Sequence, residues 1–176
     1  MIKYVALLRG INVGGKNMIK METLREIFSS LGLANVKTYI NSGNVVFETA
    51  KTDDAMLTNK ICAAIEKELG LKISVMIRPH AEVAEVIKNN PFAGQFENDK
   101  DMYVFFLANE MSDENTQLLL AKNSNAEMIA VNGRTIYYLL RISIIDSVLG
   151  KGFVDKKLKV PATARNWRTV KKLGEM

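Results

Sequence analysis

Val36-Lys37-Thr38-Tyr39-Ile40-Asn41-Ser42-Gly43-Asn44-Val45-Val46-Phe47 reads as a β-hairpin. Val36, Thr38 and Ile40 alternate with more polar neighbours, and Val45-Val46-Phe47 follows as a second apolar run. Asn41-Ser42-Gly43-Asn44 between them has turn composition. On the N-terminal side, Met21, Leu24, Phe28 and Leu31 recur at three- and four-residue steps. That spacing predicts an amphipathic helix over 20–31 with Gly32 as its stop. Before it, Ile2-Lys3-Tyr4-Val5-Ala6-Leu7-Leu8 reads as a largely buried strand. On the C-terminal side, Leu57, Ile61, Ala64, Ile65 and Leu69 share one helical face that Gly70 ends. Ile73-Ser74-Val75-Met76-Ile77 is a further strand, closed by Pro79.

The order is therefore β-α-β-β-α-β, the ferredoxin-like α+β pattern. Residues 1–79 form one expected subdomain and residues 80–176 a second. In the second, a short helix (about 81–89) ends before Pro91-Phe92. Met102–Leu107 is strand-like, and 113–122 is a helix capped by Asp113 or Ser112. Met128–Val131 and Thr135–Leu140 flank Asn132-Gly133, a short-range hairpin signal. A helical stretch runs through Ile144–Leu149. The segment 150–161 is interrupted by Gly, Lys and Pro, so the last strand is expected to be missing or irregular. The second half thus reads as an incomplete β-α-β-β-α copy, an inference from element order alone. Pro161 then precedes Thr163, read as the N-cap of a tail helix that Gly174 stops. On that helix Trp167, Val170 and Leu173 cover one side, and Arg165, Arg168 and Lys172 form a basic ridge nearly opposite.

The chain has 176 residues, 48% of them apolar and 24% charged. That is too hydrophobic for a disordered chain, and no run approaches the roughly 20 apolar residues of a membrane helix. Met1 leads straight into a strand with no signal-peptide pattern, so a cytoplasmic location is expected. One Cys and one His exclude a disulfide scaffold and leave too few ligands for a zinc site, and neither a cofactor nor a metal is expected. The net charge of +5 is uneven. Residues 151–176 hold eight Lys and Arg against Asp155 and Glu175, and residues 1–20 hold Lys3, Arg9, Lys16 and Lys20 with no acid. The middle is therefore acidic. Basic ends bear on the choice of partner, although scattered lysines also serve solubility alone.

The loop Arg9–Asn17 is the best chemical candidate. Glycines at 10, 14 and 15 allow consecutive amides to converge on an anion, and the loop leads into a helix N-terminus. Arg9 and Lys16 add charge. The spacing meets the phosphate-loop pattern G-x-x-x-x-G-K. Asn17, however, stands where a magnesium-binding Ser or Thr is needed, and the element order is wrong for a parallel sheet, which excludes that class of NTPase. Topology adds a neighbour. The first and second strands run parallel with the third between them, so the loop and the Asn41–Asn44 turn should lie about 10 Å apart at one edge. Asn41, Ser42 and Asn44 then offer polar side chains beside Gly10, Asn12, Gly14, Gly15 and Lys16, or serve the turn alone. The tail ridge, with Arg165, Asn166 and Arg168, is expected to approach this edge. Trp167 is read as core, His80 as structural or exposed, Cys62 as a small core hydrophobe, the methionines as core filling, and Glu97, Asp99 and Asp101 as a solvated patch.

Three stretches carry a family resemblance: Ala6–Lys16 (Ala6-Leu7-Leu8-Arg9-Gly10-Ile11-Asn12-Val13-Gly14-Gly15-Lys16), Tyr39–Phe47, and Pro161-Ala162-Thr163-Ala164-Arg165-Asn166-Trp167. Together, in this order, they resemble the bacterial family known as domain of unknown function 1697, over essentially the whole chain. The resemblance implies a cytosolic α+β protein with ferredoxin-like elements and no established activity. That family often has a basic residue after the serine matching Ser147, where this chain has Val148.

The reading that follows is a cytosolic module binding a phosphate-containing or other anionic ligand, a nucleotide or nucleic acid. An enzyme acting on a phosphorylated small metabolite and a protein-interaction domain are the alternatives. No catalytic residue is assigned, because acid–base work needs a positioned His or carboxylate at this edge. The K/R-G-F/Y-G/A-F signature of RNA-recognition domains is absent.

Overall fold

A computed structural model describes residues 1–176. The chain forms two compact units, residues 1–85 with 173–176 and residues 86–172. In the first unit the order is β1 (Ile2–Leu8), α1 (Met21–Ser30), β2 (Ala34–Tyr39), β3 (Asn44–Thr49), α2 (Asp54–Leu69) and β4 (Val75–Pro79), and α3 (His80–Lys88) follows. The second unit holds β5 (Met102–Leu107), α4 (Asp113–Leu120), β6 (Glu127–Asn132), β7 (Thr135–Leu140) and β8 (Ala162–Asn166), and the C-terminal helix α5 (Trp167–Glu175) comes last. Each sheet has four antiparallel strands, ordered β2-β3-β1-β4 and β6-β7-β5-β8. No helix is long and apolar enough to cross a membrane.

The first core lies on the helix-covered face of its sheet. Ala6, Leu8, Val45, Phe47 and Ile77 meet Leu24 and Phe28 of α1 and Leu57, Ile61 and Ile65 of α2. Phe47 anchors it, stacked on Tyr4 at 5.9 Å and edge-on to Phe28 at 5.5 Å. The expected helical faces are therefore the buried ones. Gly70 ends α2 with a φ of 67°, and Asp53 starts it by accepting from the amides of Ala55 and Met56.

The second unit departs from the sequence reading in three places. The expected missing strand exists: Ala162–Asn166 pairs with β5, so the tail helix starts at Trp167 and not near Thr163. Asn166 caps it by accepting from the Thr169 amide. The β6–β7 turn falls on Gly133-Arg134, because Asn132 already pairs with Thr135. Finally, Ile144–Leu149 is not a helix. It is a series of turns that runs into a π-helix at Phe153–Lys157.

Those turns are fixed by a buried carboxylate. Glu127, 8% exposed, accepts from the Tyr138 hydroxyl and from the Val148 amide at 2.7 Å. Ser147, fully buried, donates to Ile144 O at 2.7 Å and accepts from the Gly150 amide at 3.0 Å. A Cβ on Gly150 would stand 1.6 Å from the Ile144 carbonyl oxygen, so no other residue fits. Trp167 is buried as expected and meets Phe96 edge-on at 6.3 Å.

Burial, and then the bond to Glu127, push the Tyr138 phenol up to about 12. The unfolded chain ionises this phenol near pH 10, before the folded chain does, so folding stability falls as pH rises through that interval. Urea midpoints measured from pH 9 to 12 should decline, and the decline should be shallower in Tyr138→Phe. That variant should also be less stable at neutral pH by about 1–3 kcal/mol, since Glu127 loses a donor.

Candidate functional site

The two sheets match in register as well as in strand order. Tyr4 lies opposite Phe47 and Pro79 as Tyr103 lies opposite Tyr138 and Asn166. Val5 faces Arg78 as Val104 faces Arg165. Both arginines are buried, and each donates Nη1 to the preceding carbonyl, Ile77 O at 2.9 Å and Ala164 O at 2.8 Å. At the strand ends the Leu8 amide donates to Gly43 O and the Leu107 amide to Arg134 O. The halves are thus two copies of one scaffold.

The copies differ at one edge of the sheet. Residues 9–20 link β1 to α1, whereas the shorter stretch 108–112 links β5 to α4. Residues 40–43 link β2 to β3, where Gly133-Arg134 suffices in the second copy. Added loop on a fixed scaffold is where binding residues concentrate.

The longer β1–α1 loop folds as a small finger. Val13 and Lys16 form a β-bridge, and the Lys16 amide donates to Val13 O at 3.1 Å. Gly14 and Gly15 between them have φ of 59° and 73°, the double left-handed geometry of a tight hairpin turn. One level down, the Asn12 amide donates to Asn17 O. These glycines serve a turn, and the Lys16 and Asn12 amides are already used. The expected convergence of successive loop amides on an anion is therefore not formed at the tip.

The expected neighbourhood of loop and turn is present and closer than anticipated. Asn12 Nδ2 donates to Asn41 O at 2.8 Å and to Ile19 O at 2.9 Å, and Asn12 Oδ1 accepts from the Ile19 amide at 2.8 Å. One side chain ties the finger to the turn and to the entrance of α1. Gly43 is required here: it has a φ of 82°, and a Cβ would lie 2.7 Å from Ile11 Cδ1. Asn44 is fully buried and donates to Tyr39 O and Ser42 Oγ, so Asn44 and Ser42 serve the turn. Ile40, a β-branched residue 49% exposed, has a φ of 48°, a strained backbone at the same turn.

Beneath these loops lies a cleft of about 550 Å³ lined by Asn12, Met18, Ile19, Lys20, Met21 and Asn41. Lys20 occupies the N-cap position of α1, and α1 has no side-chain cap. α2, α4 and α5 are capped by Asp53, Ser112 and Asn166. The first-turn amides of α1 thus lack the acceptor those helices supply for themselves. Glu22 is the acid in that turn. Of the lining, the sequence marked only Asn12 and Asn41 as candidate site residues. The signal for the rest was Lys20 standing where Ser, Thr, Asp or Asn is usual.

The tail residues are placed differently from expectation. Arg165 is on β8, not on a helical ridge. It is buried and donates to Thr163 Oγ1 and Ala164 O, and burial pulls it down to about 10. Asn166 is a cap. Arg168 is exposed on α5.

The family model described as a protein of unknown function, DUF1697, matches residues 1–137. The chain belongs to this family. A solved structure of the conserved bacterial protein SP0830 from Streptococcus pneumoniae is similar, with 27% identity and a TM-score of 0.73 over 99% of this chain and 97% of that one. A search of curated proteins finds no match.

Asn12→Ala removes three hydrogen bonds that join finger, turn and helix entrance. It should lower stability by about 1–3 kcal/mol and speed amide exchange at Ile19 more than in the core strand β1, as hydrogen-exchange NMR would read. Equal acceleration at both would mean the finger does not open locally.

Proposed function

We propose that the cleft at this edge binds a phosphate-bearing ligand of nucleotide size. The observation that carries the reading is the uncapped start of α1 opening on the cleft beside Lys20. Unpaired helix N-terminal amides and the helix dipole favour an anion there. Lys20 lines the cleft and Lys16 is exposed on the finger, neither held by a carboxylate, and Arg9 begins the finger. The volume falls within the usual range of small-molecule sites, roughly 300–1,000 Å³.

The rest of the lining suits an organic body attached to the phosphate. Met18 and Met21 offer thioethers that adapt to a planar ring. The Asn41 side chain has no partner of its own, so its carboxamide is available to donate and accept at a base edge. Asn12 is saturated and acts as scaffold. Lys20 is the one titratable side chain of the lining, which favours binding over acid–base catalysis. The exposed apolar side chains around the edge, Val13, Met18 and Ile40, offer a surface on which a base can rest.

Calorimetry with adenosine and guanosine mono-, di- and triphosphates tests this, with inorganic phosphate as the minimal probe. Lys20→Glu should weaken binding about 10-fold or more by placing a carboxylate at the helix start, and Glu22→Gln should strengthen it several-fold by removing one. No heat and no thermal stabilisation with any of these at millimolar concentration would sink the proposal.

A further inference from the structure

The segment between β7 and β8 has no counterpart in the first unit, where α2 fills the equivalent connection. Its inner side is thoroughly anchored. Leu149, Val154 and Leu158 are buried in the second core. Asn115 Nδ2 donates to Leu158 O, and the carboxylate of Asp155 accepts from the Ala162 amide. The Glu127, Tyr138 and Ser147 bonds hold the preceding turns.

Its outer side is cationic. Lys151, Lys156, Lys157 and Lys159 are all exposed, and none is paired with a carboxylate. Lys156 donates to the Lys151 carbonyl, and Lys122 sits over the Phe153 ring at 5.3 Å, adding a fifth cation where the π-helix begins. Lys159 keeps a φ of 59°, which a lysine adopts at some cost. Within residues 151–159 the one acid, Asp155, is turned toward a backbone amide, and the exposed Asp146 lies before the run of lysines. Unneutralised like charges on a fixed platform repel one another, and a polyanion relieves that repulsion.

We infer that the Lys151–Lys159 segment, with Lys122, is a contact surface for the phosphodiester backbone of nucleic acid. Phosphate contact of this kind positions the partner and carries no sequence information. A lipid surface fits less well. The apolar residues of the π-helix face inward, and the segment's exposed large aliphatics are Ile142 and Ile145, too few to form the apolar face an interfacial helix inserts. The inference is independent of the cleft at α1, because it concerns other residues on a different connection.

The test is fluorescence anisotropy with labelled 20-base-pair duplexes of two unrelated sequences, using the full chain. Both should bind equally, and affinity should fall by roughly 100-fold between 50 and 200 mM salt, as expected for about four neutralised phosphates. The variant K151Q/K156Q/K157Q/K159Q should bind at least 10-fold more weakly at low salt with a flatter salt dependence. Its circular dichroism and melting should match the parent, since the changed side chains are exposed. Lys20→Glu should leave duplex affinity within about twofold, and the quadruple variant should still bind mononucleotide if the cleft does. Unchanged duplex affinity in the quadruple variant would overturn the inference. So would binding to vesicles of phosphatidylcholine and phosphatidylserine without binding to duplex.

Discussion

β3 lies between β1 and β2 and is antiparallel to both. That pairing forces β1 and β2 to run the same way, so their C-terminal ends emerge at one edge. Everything at the candidate site follows. The finger leaves β1 there, the turn leaves β2 there, and α1 begins where the finger returns. Asn12 converts nearness into attachment by bonding both Asn41 and Ile19. The strand order sets which loops meet, and a single carboxamide sets how closely.

The second unit repeats the strand order and the register without the added loops. It therefore shows what the scaffold needs on its own account. A two-residue turn and a short link to the helix are enough to close β5, β6 and β7. The finger, the strained Ile40 and the uncapped α1 exceed that requirement. In turn, the second unit gives up a regular helix between β7 and β8 for an irregular segment pinned by Glu127 and Tyr138. Each copy has spent its freedom in a different connection.

Local signals were legible in the sequence. Periodic apolar positions marked α1 and α2, Gly70 marked a stop, and the Asn41–Asn44 composition marked a turn. Even the meeting of loop and turn was legible, because it depends on strand order. What failed was decided by distant partners. Thr163-Ala164-Arg165 is compatible with a helix by itself, and pairing with β5 makes it a strand. Ile144 and Val148 have helical spacing, but Glu127, far back in the chain, holds the Val148 amide in a turn. The Gly14-Gly15 pair fits either an anion cradle or a tight turn, and only its bonding partners distinguish the two. The duplication was hidden because the offset between matching residues changes along the chain: Tyr4 matches Tyr103 and Arg78 matches Arg165 at different separations.

The finger is closed at two levels by main-chain bonds and riveted at its base by Asn12. It is thus a stiff prong and not a floppy flap. A molecule arriving beside it meets a surface whose shape is already set, so association forfeits little chain entropy in freezing the loop. Such a contour selects by fit at first encounter and leaves small room for remodelling around a misshapen guest.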